Sequence, residues 1–470
     1  MEYMDHKINL YNLVSLSLIA ALGGFLFGYD TAVISGTIQY VTEYYHLNAV
    51  QQGWYVGCAL IGSILGVLCA GILCDKYGRK TTIFFSSILF SVSAIGCALY
   101  HTFDELVFFR IIGGIGIGVV SIASPLYIAE LSVPQYRGRL VALYQLAVTI
   151  GILSSYLVNY GILAYSELCQ FQIGWYYKIF VSEVWRAMLG METIPALIFL
   201  IIVMFIPESP RFLLLQNKEG RAFKVLSKVY VLPQDILEQI GLIKQTLSNQ
   251  KRISEWKLLF QGGILRAVII GACIALLGQF MGINAVLLYG PSIFDEVGFS
   301  GSNSLLYQVL IGLVNSITTI IALLIVDKIG RKTLIYYGVS GMIISLLWIS
   351  IYFTFSEKLQ MPGWILLIGF LGYIFCCAIS VCAVIFIFLS EMYPTRVRGI
   401  AMSIAGFSLW IGTYLIGQLT PYILEKLGPS GTFILFAFMC VPYLLIVWKL
   451  MPETAGKSLE EIETYWNKFN

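Results

Sequence analysis

Asp75-Lys76-Tyr77-Gly78-Arg79-Lys80 and Asp327-Lys328-Ile329-Gly330-Arg331-Lys332 are two copies of one motif, 252 residues apart. Glu130 precedes Arg137-Gly138 by seven residues, and Glu391 precedes Arg398-Gly399 by the same seven. Pro207-Glu208-Ser209 returns as Pro452-Glu453-Thr454. Three motif pairs at nearly one offset describe a duplicated unit in parallel repeat.

What lies between the motifs is apolar. Hydrophobic residues make up 58% of the 470, charged residues 12%, and the mean hydropathy is +0.83. Soluble domains are nearer a quarter charged, so these charges cannot cover a soluble surface. A bilayer core needs about 20 mostly apolar residues per helix. Twelve runs qualify: Leu13–Val41, Trp54–Leu73, Thr81–Tyr100, Leu106–Ala129, Leu140–Leu163, Met188–Ile206, Leu265–Phe294, Leu305–Val326, Leu334–Phe355, Gly363–Ser390, Ile400–Tyr422 and Phe433–Leu450. The expected division is a six-helix half over 1–206, a linker over 207–261, a second half over 262–451 and a short tail over 452–470. Helical patterns at Glu219–Val229 and Asp235–Leu247 make the linker helical.

Lys and Arg collect on alternate loops: Lys76, Arg79 and Lys80; Arg137 and Arg139; Arg211, Lys218, Arg221, Lys224 and Lys228; Lys328, Arg331 and Lys332; Arg396 and Arg398. The loops Thr42–Gly53, His101–Glu105 and Asp295–Ser304 have none. The positive-inside rule then puts both termini and the linker in the cytoplasm. The first run is too long for a signal peptide and lacks a cleavage site.

No cofactor or metal is expected. The ten cysteines lie mostly in apolar runs, where cysteine acts as a small hydrophobe. His6, His46 and His101 are far apart, and zinc needs clustered ligands. Gly113-Gly114-Ile115-Gly116-Ile117-Gly118 sits in a membrane run, where small residues allow close helix packing. Gly456-Lys457-Ser458 lacks the preceding glycine of a phosphate loop. The net charge of +3 carries no nucleic-acid signal, and no nucleophile–base constellation marks an enzyme.

The repeated acids and bases have two readings. Either they fix topology, or they are ion pairs that hold the cytoplasmic side shut and break when it opens. Exposed pairs are worth about 0–1 kcal/mol, which suits a gate. Topology needs no acids, so the gate is favoured, with Asp75 paired to Arg79, Glu130 to Arg137, and their counterparts in the second half, Glu391 with Arg398 among them. Asp75, Arg79, Glu208, Arg211, Asp327, Arg331 and Glu453 complete the set.

Asp30 and Arg110 lie inside the first and fourth runs. An intramembrane charge is a functional candidate by default. At 1.5 Å per residue they sit roughly 16 and 10 Å from the outer ends, depths that allow a pair. Burial disfavours the carboxylate charge and a nearby guanidinium favours it. A change in their separation would therefore load and release a proton; the plain alternative is a static buried pair.

Gly28-Tyr29-Asp30-Thr31-Ala32-Val33-Ile34-Ser35-Gly36, the Asp75–Lys80 motif, Arg110-Ile-Ile-Gly-Gly-Ile-Gly-Ile-Gly118, Pro207-Glu-Ser-Pro-Arg211, Gly282-Ile-Asn284 and Pro452-Glu-Thr454 resemble the signatures of the sugar porter family of the major facilitator superfamily. The match spans nearly the whole chain, in order. It implies an all-α membrane protein with the major facilitator fold: twelve transmembrane helices in two six-helix halves. It also implies transport of a monosaccharide by alternating access, in symport with protons as in the family's bacterial proton-coupled members. There the Asp matching Asp30 takes the proton and the Arg matching Arg110 tunes it.

By the same resemblance Gln145, Gln279, Asn284, Asn315 and Trp410 match sugar ligands. Phe27 and Tyr289 match the aromatic lining and outer gate, and Phe386 stands where the tenth helix carries Trp. Each polar residue could instead serve a helix–helix hydrogen bond. Departures cluster in the second half: Gly278 replaces a Gln, Leu288 a Tyr, Leu409 a polar residue, and Cys382-Ala383-Val384-Ile385 the Gly-Pro break. The tenth helix is thus predicted to be continuous. Partners implied are a sugar or polyol, protons and the lipid bilayer, with a monomer sufficient. Facilitative uniport of a sugar or polyol is the alternative. A nutrient sensor is disfavoured by the short tail.

Overall fold

The computed structural model describes residues 8–133, 135–168, 174, 177–249, 259–260, 262–299, 301–393, 397–451 and 453. Among them eleven helical spans are long and apolar enough to cross a bilayer. In chain order they are α1 (Leu10–Gly36), α2 (Ala49–Tyr77), α3 (Arg79–Leu99), α4 (Phe103–Leu131), α5 (Arg137–Leu168), α6 (Val184–Val203), α7 (Gly263–Asp295), α8 (Ser302–Val326), α9 (Arg331–Ser356), α10 (Trp364–Ile385) and a last span, Arg398–Leu450. At 53 residues the last would be about 80 Å long, far beyond a bilayer core. It bends at Gly428, whose φ is 67°, so it supplies two membrane segments: α11 (398–427) and α12 (429–450). That makes the expected twelve. The linker holds short helices at Pro210–Leu215, Glu219–Leu226 and Pro233–Asn249.

Packing within the bilayer depends on small residues, as the glycine run of α4 predicts. Cα of Gly118 would lie 2.9 Å from a Cβ placed on Gly66 of α2, an approach only glycines permit. Several helices depart from regular α geometry, α6 among them, where a turn at Met191–Glu192 separates Val184–Gly190 from Thr193–Val203. α1 tightens to a 3-10 turn at Ile34–Gly36. α7 is broken at Gly282, φ 94°. α10 contains a π-turn at Ala378–Cys382. This corrects the expectation of a continuous tenth helix: the Gly-Pro element is gone, but an extra residue in one turn interrupts the same helix.

Residue contacts divide the chain into two compact units. One comprises Met1–Thr31, Ile61–Ile152 and Leu189–Ile253; the other comprises Ala32–Leu60, Leu153–Met188 and Ser254–Asn470. Parts of α1, α2, α5 and α6 thus pack within the second unit. There Gln418 Nε2 donates to Val50 O at 3.0 Å, and Tyr156 OH donates to Leu287 O at 2.7 Å. In the first unit the N-terminal segment meets the linker, with Asn9 N on Val229 O at 2.7 Å and Asn12 Nδ2 on Lys228 O at 3.1 Å.

The duplicated motif folds the same way twice. In the first unit Glu208 Oε1 accepts from the backbone N of Arg79 (2.9 Å), Lys80 (3.0 Å) and Ser209 (2.8 Å). A carboxylate there satisfies orphan donors at the start of α3 and complements its dipole. In the second, Glu453 accepts from the N of Arg331 (3.1 Å) and Lys332 (3.0 Å) at the start of α9. Lys80 Nζ donates to Met204 O at 2.7 Å, and Lys332 Nζ donates to Trp448 O and Met451 O at 3.0 Å each.

Each motif glycine precedes its helix with φ near 95°, Gly78 at 95° and Gly330 at 96°. The two differ in surroundings. A Cβ on Gly78 would run into the Glu208 carboxylate and the Phe212 ring, whereas the nearest atom to one on Gly330 is Glu453 Oε2 at 3.2 Å. Gly330→Ala should therefore cost little beyond the backbone strain of about 1–2 kcal/mol. Gly78→Ala should lower the thermal midpoint of the purified protein distinctly further. Equal midpoints would mean that the Glu208 cap yields without penalty.

Candidate functional site

Among the described residues, the membrane interior of the first unit holds two buried carboxyl side chains and one guanidinium. Asp30 of α1 is fully buried and Arg110 of α4 is 2% exposed. Arg110 Nη1 donates to Asp30 Oδ1, and its Nη1 and Nη2 lie 3.4 and 3.5 Å from Asp30 O. The predicted pair is thus formed. Among the described residues Asp30 Oδ2 has no hydrogen-bond partner. It faces Gly113, where a Cβ would stand 2.8 Å from that oxygen.

The third group is Glu192 of α6, 3% exposed, with Oε1 unpartnered among the described residues. It feels the charges of both Asp30 and Arg110, and buried Tyr29 feels its charge in turn. The sequence reading passed over Glu192. It lies within the sixth apolar run and meets the criterion that singles out Asp30. Its place four residues from the start of that run makes it look like an ordinary helix-end charge.

Polar side chains of the second unit form another group. Gln279 Oε1 accepts from Asn284 Nδ2 at 2.7 Å and lies 3.2 Å from Thr413 Oγ1, whose hydroxyl is also 3.0 Å from Leu409 O. The break at Gly282 lets residues 279 and 284, five apart, meet on one side. So arranged, Gln279 keeps its Nε2 donors free and Asn284 its Oδ1 acceptor, a complementary pair for adjacent hydroxyls. Thr413 is a member that the sequence reading missed, since a single helical threonine carries no signal. Trp410 and Asn315 are 8% and 5% exposed. Tyr289 is fully buried, its hydroxyl on Gly417 O at 2.5 Å. Gln145 and Phe27 belong to the first unit, half-buried on α5 and α1. The side chain of Phe386 lies outside the described residues.

Of the expected charge pairs Asp75 with Arg79 is formed, but Glu130 and Glu391 close on other arginines than expected. Glu130 is held by Arg79, with Nη2 at 2.9 Å and Nε at 3.2 Å from Oε1, and Ser209 Oγ donates to its other oxygen. Arg79 also reaches Asp75 at 3.5 Å. Arg137, the expected partner, is exposed. In the second unit Arg331 Nη2 takes Glu391 Oε1 at 3.0 Å, while Arg398 Nη2 is 3.4 Å from Tyr393 O. The reason is geometric. Arg79 and Arg331 start a helix capped by Glu208 or Glu453, which aims the guanidinium across at the acid. Arg137 and Arg398 start α5 and α11, the helices that follow the acids, where Arg137 is exposed and Arg398 donates toward Tyr393 O. Arg211 is half-buried and makes no ion pair among the described residues. The side chain of Asp327 lies outside them, as do His6 and most of the 452–470 tail. No cluster of three or more metal-ligating side chains occurs among the described residues.

Comparison with known proteins agrees with this architecture. The family model described as "Sugar (and other) transporter" matches residues 16–466. The arabinose-proton symporter of Bacillus subtilis is 36% identical over 458 residues, covering 97% of this chain and 95% of that one. The D-xylose-proton symporter of Escherichia coli is 33% identical over 497 residues, covering 98% and 97%. A solved structure of the E. coli xylose transporter XylE, in a partially occluded inward-open conformation, superposes with a TM-score of 0.81 at 32% identity, over 95% of this chain and all of that one. The chain belongs to the sugar transporter family and has the major facilitator fold of its membrane-spanning members.

Proposed function

We propose that the chain is a secondary active transporter that moves a monosaccharide by alternating access in symport with protons. The observation that carries this reading is the buried set of Asp30, Arg110 and Glu192. Two carboxylates against one guanidinium leave one negative charge in excess when both acids are ionised. Uncompensated charge in the bilayer is costly, and a single proton on either acid removes it. A proton on Asp30 also weakens its hold on Arg110, which frees α4 to shift against α1. The relatives named as arabinose- and xylose-proton symporters support a monosaccharide as substrate.

In this reading Gln145, Gln279, Asn284 and Asn315 hydrogen-bond the sugar. Trp410, Phe27, Tyr289 and Phe386 flank its apolar face, and Thr413 orients Gln279. The halves over 1–206 and 262–451 rock about the linker, both termini face the cytoplasm of a bacterial inner or plasma membrane, and a monomer suffices. The clusters of Asp75, Arg79, Glu130, Glu208 and Arg211 and of Asp327, Arg331, Glu391 and Glu453, with Arg137 and Arg398, form the cytoplasmic gate.

Uptake into proteoliposomes under an imposed pH gradient, with a panel of pentoses, hexoses and polyols, tests the whole reading. Failure of every sugar to accumulate would refute symport; exchange without accumulation would identify a uniporter. Asp30→Asn should abolish accumulation and leave counterflow, because exchange needs only the loaded carrier to reorient. Gln145→Ala and Asn284→Ala should each weaken binding about tenfold, the effect of losing one buried hydrogen bond of roughly 1–3 kcal/mol.

Stability gives an independent check on the charge set. Arg110→Leu leaves buried acids without their cation and should cost about 3–5 kcal/mol, read as a fall in thermal midpoint. Adding Asp30→Asn and Glu192→Gln should recover most of that loss. No recovery would mean that the arginine matters for packing rather than charge. For the gate, Arg137→Glu should raise the reactivity of a cysteine introduced on the cytoplasmic side of the cavity, in a background without native cysteines. Unchanged reactivity would leave Arg137 a topology signal only.

A further inference from the structure

The interrupted tenth helix carries two thiols that the transport reading leaves unused. Cys377 and Cys382 are both unoxidised, with their Sγ atoms 3.6 Å apart. Cys377 is fully buried and Cys382 partly exposed. In an α-helix, residues five apart point about 140° from one another around the axis. The π-turn at Ala378–Cys382 adds a residue to the turn and brings both thiols to one side. Their meeting therefore depends on that turn. The adjacent Cys376 faces elsewhere: its Sγ would lie 2.5 Å from a Cβ on Gly341 of α9. Just before the π-turn α10 packs tightly on α9, with Cys376 O 2.8 Å from a Cβ placed on Gly338.

We infer that Cys377 and Cys382 form a two-thiol site for a thiophilic metalloid of the trivalent organoarsenical class, and that filling it pins the π-turn and arrests the carrier. The chemistry is a condensation. An aryl arsenoxide and two thiols give one arsenic held by two As–S bonds, and the arsenoxide oxygen leaves as water with the two thiol protons. Arsenic stays trivalent, so no oxidant or reductant is needed, and no charge is left in the bilayer. Once both sulfurs are bound, the turn cannot resolve into regular α-helix, because that would separate them. The arrest, though not the binding, rests on the transporter reading.

The test uses phenylarsine oxide on the full-length protein in proteoliposomes, with intact-mass and peptide analysis beside sugar counterflow. The expected result is one arsenical per chain, bridging Cys377 and Cys382. Binding should be about 100-fold tighter than in Cys377→Ser or Cys382→Ser, because the second bond forms within the molecule. Counterflow should stop and return on adding 2,3-dimercaptopropanol, but not a monothiol. Cys376→Ser should behave as the parent. Each variant's thermal midpoint shows whether it is folded, and Cys377→Ala replaces a serine variant that is not. An adduct that persists in the Cys377→Ser/Cys382→Ser chain, or single variants that bind as tightly as the parent, overturns the site. A bridged adduct with undiminished counterflow overturns the arrest. Absence of counterflow in the unreacted protein counts against the transport reading, and the mass measurement still decides the site.

Discussion

Charge in a bilayer must be either at the ends of the spans or neutralised inside them, and this constraint orders the whole molecule. Among the described residues nearly all the basic side chains lie at the ends of the spans or in the linker, where water and headgroups solvate them. The exception in the first unit is the set of Asp30, Arg110 and Glu192, contributed by α1, α4 and α6. Such a set is stable only while its members stay together. A motion that separates them exposes a buried charge unless a proton arrives or leaves. The same energetic penalty that threatens the fold can thereby couple a helix shift to a proton.

At the charged ends the structure uses one solution twice. A carboxylate, Glu208 or Glu453, caps the helix that follows the motif. The arginine at the start of that helix then reaches a second acid, Glu130 or Glu391. Capping fixes where the arginine points, so the ion pair follows from the cap. The two clusters are not equivalent in packing. Gly78 is crowded by Glu208 and Phe212, and the corresponding space at Gly330 is more open. The first cluster is accordingly the more closely packed of the two around its glycine.

Irregular helix geometry marks where polar or reactive groups gather. The break at Gly282 lets Gln279 and Asn284 share one hydrogen bond, and Thr413 approaches the same oxygen. The π-turn of α10 brings Cys377 to Cys382. In both cases residues five apart meet, which an unbroken α-helix does not allow. Backbone groups freed by these breaks must be satisfied within the protein, since lipid offers no partner.

The number of membrane segments, the duplication and the sites of Asp30 and Arg110 were set by hydropathy, by recurrence at one offset and by the rarity of charge in apolar runs. These are properties of short segments, and solvent alone imposes them. The bend at Gly428 inside a 53-residue helix did not hide the twelfth segment, because length and hydropathy had already separated it. The tertiary structure decided which charges pair. Glu130 lies seven residues from Arg137 yet binds Arg79, because the direction of a side chain depends on helix phase and capping, not on separation along the chain. Glu192 and Thr413 became members of their groups only when other helices packed against them. The π-turn depends on how one extra residue is accommodated between neighbouring helices, for which the loss of Gly-Pro gave no sign. Sequence distance bounds which helices exist; the close contacts between helices determine what their side chains can do.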